Sequence, residues 1–101
     1  NYTNGLPIHV TENGMASNDV LIGGKIVDEQ RIRYLNAHLT QIRRAIADGI
    51  PLKSYFVWSL LDNYEWSLGY EKRFGMIHVD FETLERTPKA SYHALKAAIA
   101  R

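Results

Sequence analysis

The stretch DEQRIRYLNAHLTQIRRAIADGIPLKSYFVW, residues 28–58, decides the fold. Ile32, Leu35, Leu39, Ile42 and Ile46 recur at gaps of three, four, three and four, which traces one face of an α-helix. Asp28 reads as its N-cap, and Glu29 puts negative charge in the first turn, where the helix dipole favours it. Arg33, Asn36, Arg43 and Arg44 fall off the stripe and read as a solvated face. Gly49 is the C-cap candidate, and Pro51 cannot continue a helix. Leu52 to Trp58 then reads as a strand, apolar on nearly every residue of its later half. Such a run suits a parallel strand buried on both faces.

Upstream, Leu6-Pro7-Ile8-His9-Val10-Thr11 is rich in β-branched residues and reads as a strand ending at Glu12. Asn13 to Val27 has no periodicity and is punctuated by Gly14, Gly23 and Gly24, a long loop of the kind that is often functional. Downstream, Leu60 to Phe74 is a second long loop, aromatic and studded with polar groups, and Met76 to Val79 is a short extended segment. Thr87 is expected to cap a final helix with Pro88 at its first position and Tyr92, Leu95 and Ile99 as its buried stripe. The order is strand, loop, helix, strand, loop, helix, which means an α/β fold with parallel strands and right-handed crossovers. Both long loops follow strands, and in such folds the site lies at the carboxyl ends of strands.

Composition narrows the function. The 101 residues are 46% hydrophobic and 23% charged, with 12 Lys+Arg against 11 Asp+Glu. These are the proportions of a globular protein. A net charge of +1 gives no drive toward nucleic acid or an anionic membrane. Runs such as Tyr55-Phe56-Val57-Trp58 are far too short to span a bilayer. The absence of cysteine excludes a disulfide scaffold, a thiolate nucleophile and a cysteine-ligated metal; with no signal-peptide pattern at the start, a cytoplasmic location is the expectation. His9, His38, His78 and His93 show no metal-ligand spacing with a third donor, so no metal is expected.

The chemistry concentrates at the two strand ends. Glu12 is a carboxylate fixed by a strand terminus and followed by Asn13-Gly14. Trp58 closes the second strand, and Asp62-Asn63-Tyr64-Glu65-Trp66 follows within a few residues. Aromatic faces stack on the C–H faces of sugar rings, and carboxylates accept strong hydrogen bonds from hydroxyls. That mixture points to a carbohydrate site, with an aromatic core under a loop as the competing reading.

These segments resemble glycoside hydrolase family 1, the β-glucosidases and their relatives. Residues 7–14, PIHVTENG, are similar to the family's nucleophile segment, and 58–66, WSLLDNYEW, to its W-S-L-x-D-N-F-E-W segment. Residues 69–75, GYEKRFG, with Val79-Asp80, resemble the continuation, and 86–91, RTPKAS, the run into the last helix. Tyr64 stands where the family usually has Phe, and Ser67 where small residues are common. The resemblance implies a (β/α)8 TIM barrel of which residues 1–101 are the last two strand–helix units, from strand 7 to helix 8, incomplete on their own. It implies Glu12 as catalytic nucleophile, Trp58 as the platform under the sugar ring, Glu65 and Trp66 as hydroxyl ligands, and Phe74 as part of the pocket wall. No cofactor is implied.

The same resemblance implies retaining hydrolysis, with a second carboxylate about 5–5.5 Å from the nucleophile acting as acid and then base. In the family that group lies in an N-E-P segment on an earlier strand, and no such segment occurs here. The expected partners are therefore a small-molecule β-glycoside and the missing N-terminal barrel segment, without which the chain is expected to be inactive. A barrel of this type needs about 250 residues. A 6-phospho-β-glycosidase is the alternative within the family: Lys72 and Arg73 could meet a phosphate, although Glu65 would repel it. A non-catalytic sugar-binding module is the alternative outside it. Glu65 can accept from hydroxyls at more than one ring position, so the reading spans glucosides, galactosides and fucosides.

Overall fold

The structure is a computed structural model and describes residues 4–100. Strand β1 (Ile8–Asn13) leads through a long loop to helix α1 (Glu29–Ala47), then β2 (Leu52–Val57). A second loop holds one 3₁₀ turn (Trp66–Leu68), followed by strands β3 (Ile77–Val79) and β4 (Arg86–Pro88) and helix α2 (Ala90–Ile99). β1 and β2 pair in parallel, Ile8 opposite Leu52 and Val10 opposite Tyr55, with α1 as the connection between them. β3 and β4 form a separate antiparallel hairpin. The fold is thus α/β, and the described residues contain two parallel strands and no closed barrel.

Helix α1 follows the sequence pattern closely. Leu35 is buried and Ile32, Leu39 and Ile42 are half-buried, while Arg33, Asn36, Arg43 and Arg44 are exposed. Asp48 is the C-cap, and Gly49 follows with φ of 85°, a left-handed turn that glycine adopts without steric cost. Ile46 and Ile99, expected on buried stripes, lie in the last turns of α1 and α2 and are 51% and 75% exposed.

Three expectations are corrected. Asp28 stands at the N-cap of α1 but makes no side-chain cap bond there. Its carboxylate instead accepts from the Ser91 N–H at 2.9 Å and the Ser91 hydroxyl at 2.5 Å, so it caps the start of α2. Thr87 and Pro88 do not open the last helix. The Asp80 carboxylate accepts from the Glu82 and Thr83 N–H groups at 2.9 and 3.0 Å, which makes a tight turn and folds Arg86–Pro88 back onto Ile77–Val79. The helix therefore starts at Ala90, after Lys89. Finally, β2 is not fully buried on either face: Lys53 and Phe56, which alternate to opposite sides of the strand, are both exposed, Phe56 by 58%.

The interior between the loops and helices is ionic. Arg31 donates to Asp19 Oδ1 and Oδ2 at 3.0 and 2.6 Å, to Asp28 at 2.5 Å and to the Arg73 carbonyl at 2.9 Å. Lys89, fully buried, donates to Asp19 Oδ2 at 2.5 Å and to Asp62 Oδ1 at 2.8 Å. Asp62 also takes Arg73 at 2.7 Å and the backbone N–H groups of Gly75 and Val79. Three aspartates thus meet three cations, and the cluster is neutral. Neutrality and near-complete hydrogen bonding, in which Arg31 Nε alone among the described residues has no partner, are what make such burial tolerable, since each unpaired buried ion costs several kcal/mol.

Burial alone would raise the Asp19 carboxyl, but the bonds from Arg31 and Lys89 outweigh it and hold its pKa below the ordinary 3.8. A carboxylate depressed in the folded state stabilises the fold above its unfolded pKa, and that stability is lost as pH falls through the folded value. Stability is accordingly expected to be flat with respect to Asp19 above about pH 4 and to decline below it. Urea midpoints measured from pH 2 to 6 check this, with Asp19→Asn expected to start lower and to lose part of the acid slope.

Candidate functional site

The two strand ends meet through backbone. The Trp58 N–H donates to the Asn13 carbonyl at 2.9 Å, joining the residue after Glu12 to the residue that follows β2. Gly14 has no alternative here, because a Cβ at that position would overlap the Trp58 carbonyl oxygen. The Asn13 side chain is held from both sides: Tyr55 donates to its Oδ1 at 2.7 Å, and its Nδ2 donates to the Tyr34 hydroxyl at 3.1 Å. Burial holds the Tyr55 phenol above its ordinary pKa, so it remains a donor. Glu12 sits at this pinned terminus with its side chain exposed.

The second loop returns to the same place. Trp58 Nε1 donates to Glu65 Oε2 at 3.4 Å, so indole and carboxylate lie side by side. Ser59 N–H donates to the Phe74 carbonyl at 3.1 Å, which brings half-buried Phe74 under the start of the loop. The tip closes on itself: Glu65 N–H donates to the Gly69 carbonyl at 2.8 Å, and Leu68 N–H to the Glu65 carbonyl at 2.9 Å. Trp66 opens this turn with φ of 46° and is 81% exposed beside Glu65.

The structure therefore brings Trp58 and Glu65 into direct contact, puts Trp66 next to them, joins Phe74 to them through Ser59, and ties the Glu12 terminus to them through Asn13. Asp62, which the sequence placed among the sugar-facing carboxylates, is buried in the ionic cluster and faces away from solvent. The residues that sequence reasoning missed are Asp19, Arg31 and Lys89. One signal was available: Arg31 lies four residues before Leu35, on the helix face that is buried. Among the described residues, no three His, Asp or Glu side chains converge as metal donors, and no helix is long and apolar enough to cross a membrane.

The family described as Glycosyl hydrolase family 1 matches residues 1–101. The chain belongs to glycosyl hydrolase family 1. A 1,4-beta-D-glucan glucohydrolase of Thermotoga neapolitana is 58% identical over 85 residues, covering 83% of this chain and 19% of the relative. Beta-glucosidase A of Acetivibrio thermocellus is 54% identical over 93 residues, covering 91% and 21%. Among solved structures, the GH1 beta-glucosidase of Exiguobacterium antarcticum B7 superposes with a TM-score of 0.94 at 49% identity, over 95% of this chain and 22% of that one. The beta-glucosidase of Thermotoga maritima, in complex with noeuromycin, superposes at 0.91 and 47% identity, over 93% and 22%. The chain spans about a fifth of the length of the curated relatives it matches. Within the family 1 resemblance, all five expected site residues lie on β1, β2 or the loop that follows β2, and the buried cluster lies behind them.

Proposed function

We propose that this chain carries the nucleophile and part of the sugar pocket of a retaining β-glycosidase of the β-glucosidase type. The observation that carries the reading is the Trp58–Glu65 pair, 3.4 Å apart on a loop whose root is hydrogen-bonded to the terminus that bears Glu12. An indole platform beside a carboxylate offers stacking to a ring face and strong acceptance to its hydroxyls, the two contacts that a neutral sugar needs. Glu12 attacks the anomeric carbon and forms the glycosyl-enzyme intermediate. Trp58 supports the ring, Glu65 and Trp66 bind hydroxyls, and Phe74 closes the wall. The general acid, which protonates the leaving oxygen and later activates water, comes from outside residues 1–101.

In this reading residues 1–101 are the last two units of a (β/α)8 barrel. Exposed apolar side chains at and just beyond β2 support it: Phe56 on the strand and Leu60 in the loop after it are 58% and 56% exposed, as residues that pack against further barrel elements require. The missing N-terminal barrel segment is then the structural partner and a β-glycoside the substrate, with no cofactor, nucleic acid or membrane in the chemistry. A cytoplasmic location goes with this proposal.

A phosphorylated sugar is disfavoured by the fate of Arg73. Its guanidinium pairs with Asp62 at 2.7 Å, donates to the Val79 carbonyl at 2.8 Å and stacks on Phe81 at 4.4 Å, so it is committed to the interior. Only Lys72 of that pair is left for a phosphate, and Glu65 opposes one. The complete barrel carrying these residues is expected to hydrolyse an aryl β-glucoside at least tenfold more efficiently, by kcat/KM, than its 6-phosphate. The reverse preference would overturn the neutral-sugar reading, and no hydrolysis of either would overturn the glycosidase reading in favour of a sugar-binding module.

A further inference from the structure

The site lies on β1, which bears Glu12, and on the loop that follows β2; that loop meets the one after Glu12 through the Ser17–Arg73 backbone pair, through Arg31, and through one buried lysine that contacts a carboxylate of each. Asp19 belongs to the loop that follows β1 and Glu12, and Asp62 to the loop that runs from Trp58 to Glu65. Lys89 Nζ donates to Asp19 Oδ2 at 2.5 Å and Asp62 Oδ1 at 2.8 Å, with the lysine fully buried at the start of α2. Each carboxylate is rigidly placed by other bonds. Arg31 holds Asp19 through both oxygens, and Arg73, Gly75 and Val79 hold Asp62. The Asp62 anchor is transmitted locally: Asp62 N–H donates to the Ile77 carbonyl at 3.0 Å, and Asn63 Nδ2 donates to Ser59 Oγ and the Leu61 carbonyl at 3.2 and 2.9 Å. The segment between Trp58 and Glu65 is therefore fixed by its middle, and Gly75 is needed there because a Cβ would overlap the Asp62 backbone.

We propose that Lys89 is a positioning residue of the glycosidase site, fixing the loop of Trp58 and Glu65 against the loop that follows Glu12 through its two carboxylate contacts. The inference rests on the proposed glycosidase function and adds a residue that touches no substrate. Without the ammonium the link from Asp19 to Asp62 is lost in both variants described below, and in the single variant the two carboxylates also repel, so Asp62 and the segment from Trp58 to Glu65 are no longer held in register with the first loop. Displacing a substrate-positioning group by a fraction of an ångström to one ångström is enough to weaken hydroxyl contacts and lower the rate.

The test uses the complete barrel carrying these residues and two variants. Lys89→Met removes the charge at similar length. Asp19→Asn with Lys89→Met removes one charge of each sign, so the cluster stays neutral and the fold is preserved while the bridge is lost. Thermal midpoints and the kinetics of aryl β-glucoside hydrolysis are measured well below each midpoint. Both variants are expected to raise KM at least fivefold and to lower kcat/KM ten- to hundredfold. The double variant is expected to regain thermal stability without regaining KM. A merely structural lysine would reduce the folded fraction, which lowers apparent kcat and leaves KM unchanged. A KM within twofold of the parent in the double variant, or a KM that recovers along with the midpoint, overturns the inference alone. An inactive parent overturns the glycosidase reading and this inference with it.

Discussion

Glu12→Gln in the complete barrel is expected to abolish hydrolysis of an aryl β-glucoside, by on the order of 10⁴-fold or more in kcat, as removal of a covalent nucleophile does. Gln has nearly the shape of Glu, so the terminus held by Asn13, Tyr55 and Tyr34 has no reason to move. What changes is chemical: a neutral amide oxygen cannot displace the leaving group at the anomeric carbon and form an ester. Sugar binding should survive within a few-fold, because Trp58 and Glu65 are untouched. Steady-state kinetics with titration of a sugar-like inhibitor separate the two effects. Unchanged turnover would remove Glu12 from the mechanism, and equal loss of binding and turnover would make its role one of binding.

Arg31→Met is expected to give the largest loss of stability, about 3–5 kcal/mol, the range found when one member of a buried ion network is removed. The side chain is 1% exposed and donates to two aspartates and the Arg73 carbonyl. Its loss leaves three buried carboxylates facing two cations. The matched comparison is Arg33→Met on the same helix. Arg33 pairs with Glu29 at 3.3 Å, but the two side chains are 74% and 67% exposed, and a solvated pair of that kind contributes less than about 1 kcal/mol. Urea unfolding of the two variants alongside the parent measures the contrast, and similar midpoints for both would contradict the assignment of the cluster as a keystone of the fold.

Much of this was readable in the residues because it depends on local patterns. The 3,4,3,4 spacing of Ile32 to Ile46 fixed α1, and the glycine and proline after Ala47 fixed its end, since both act through backbone geometry. Glu12 and the Trp58–Glu65–Trp66 group stood out because such side chains at strand ends are unlike ordinary linker chemistry. The misses share a cause: the deciding partner is distant in sequence. Asp28 reads as a cap, but the N–H it caps is that of Ser91, 63 residues away. Thr87-Pro88 is a helix-start signal that lost to the hairpin turn made by Asp80. Lys89 and Asp19, 70 residues apart, are charged residues of the type that is normally solvated, and only the fold reveals that they are paired and buried.

Glu12 is expected to become glycosylated during turnover. Incubation of the complete barrel with a slowly deglycosylated fluoro-β-glucoside, followed by proteolysis and tandem mass spectrometry, tests it directly. The expected result is one sugar per protein, with the mass increment on Glu12 in the peptide containing Thr11-Glu12-Asn13-Gly14. An adduct on any other residue, or hydrolysis at full rate with no adduct, would contradict it.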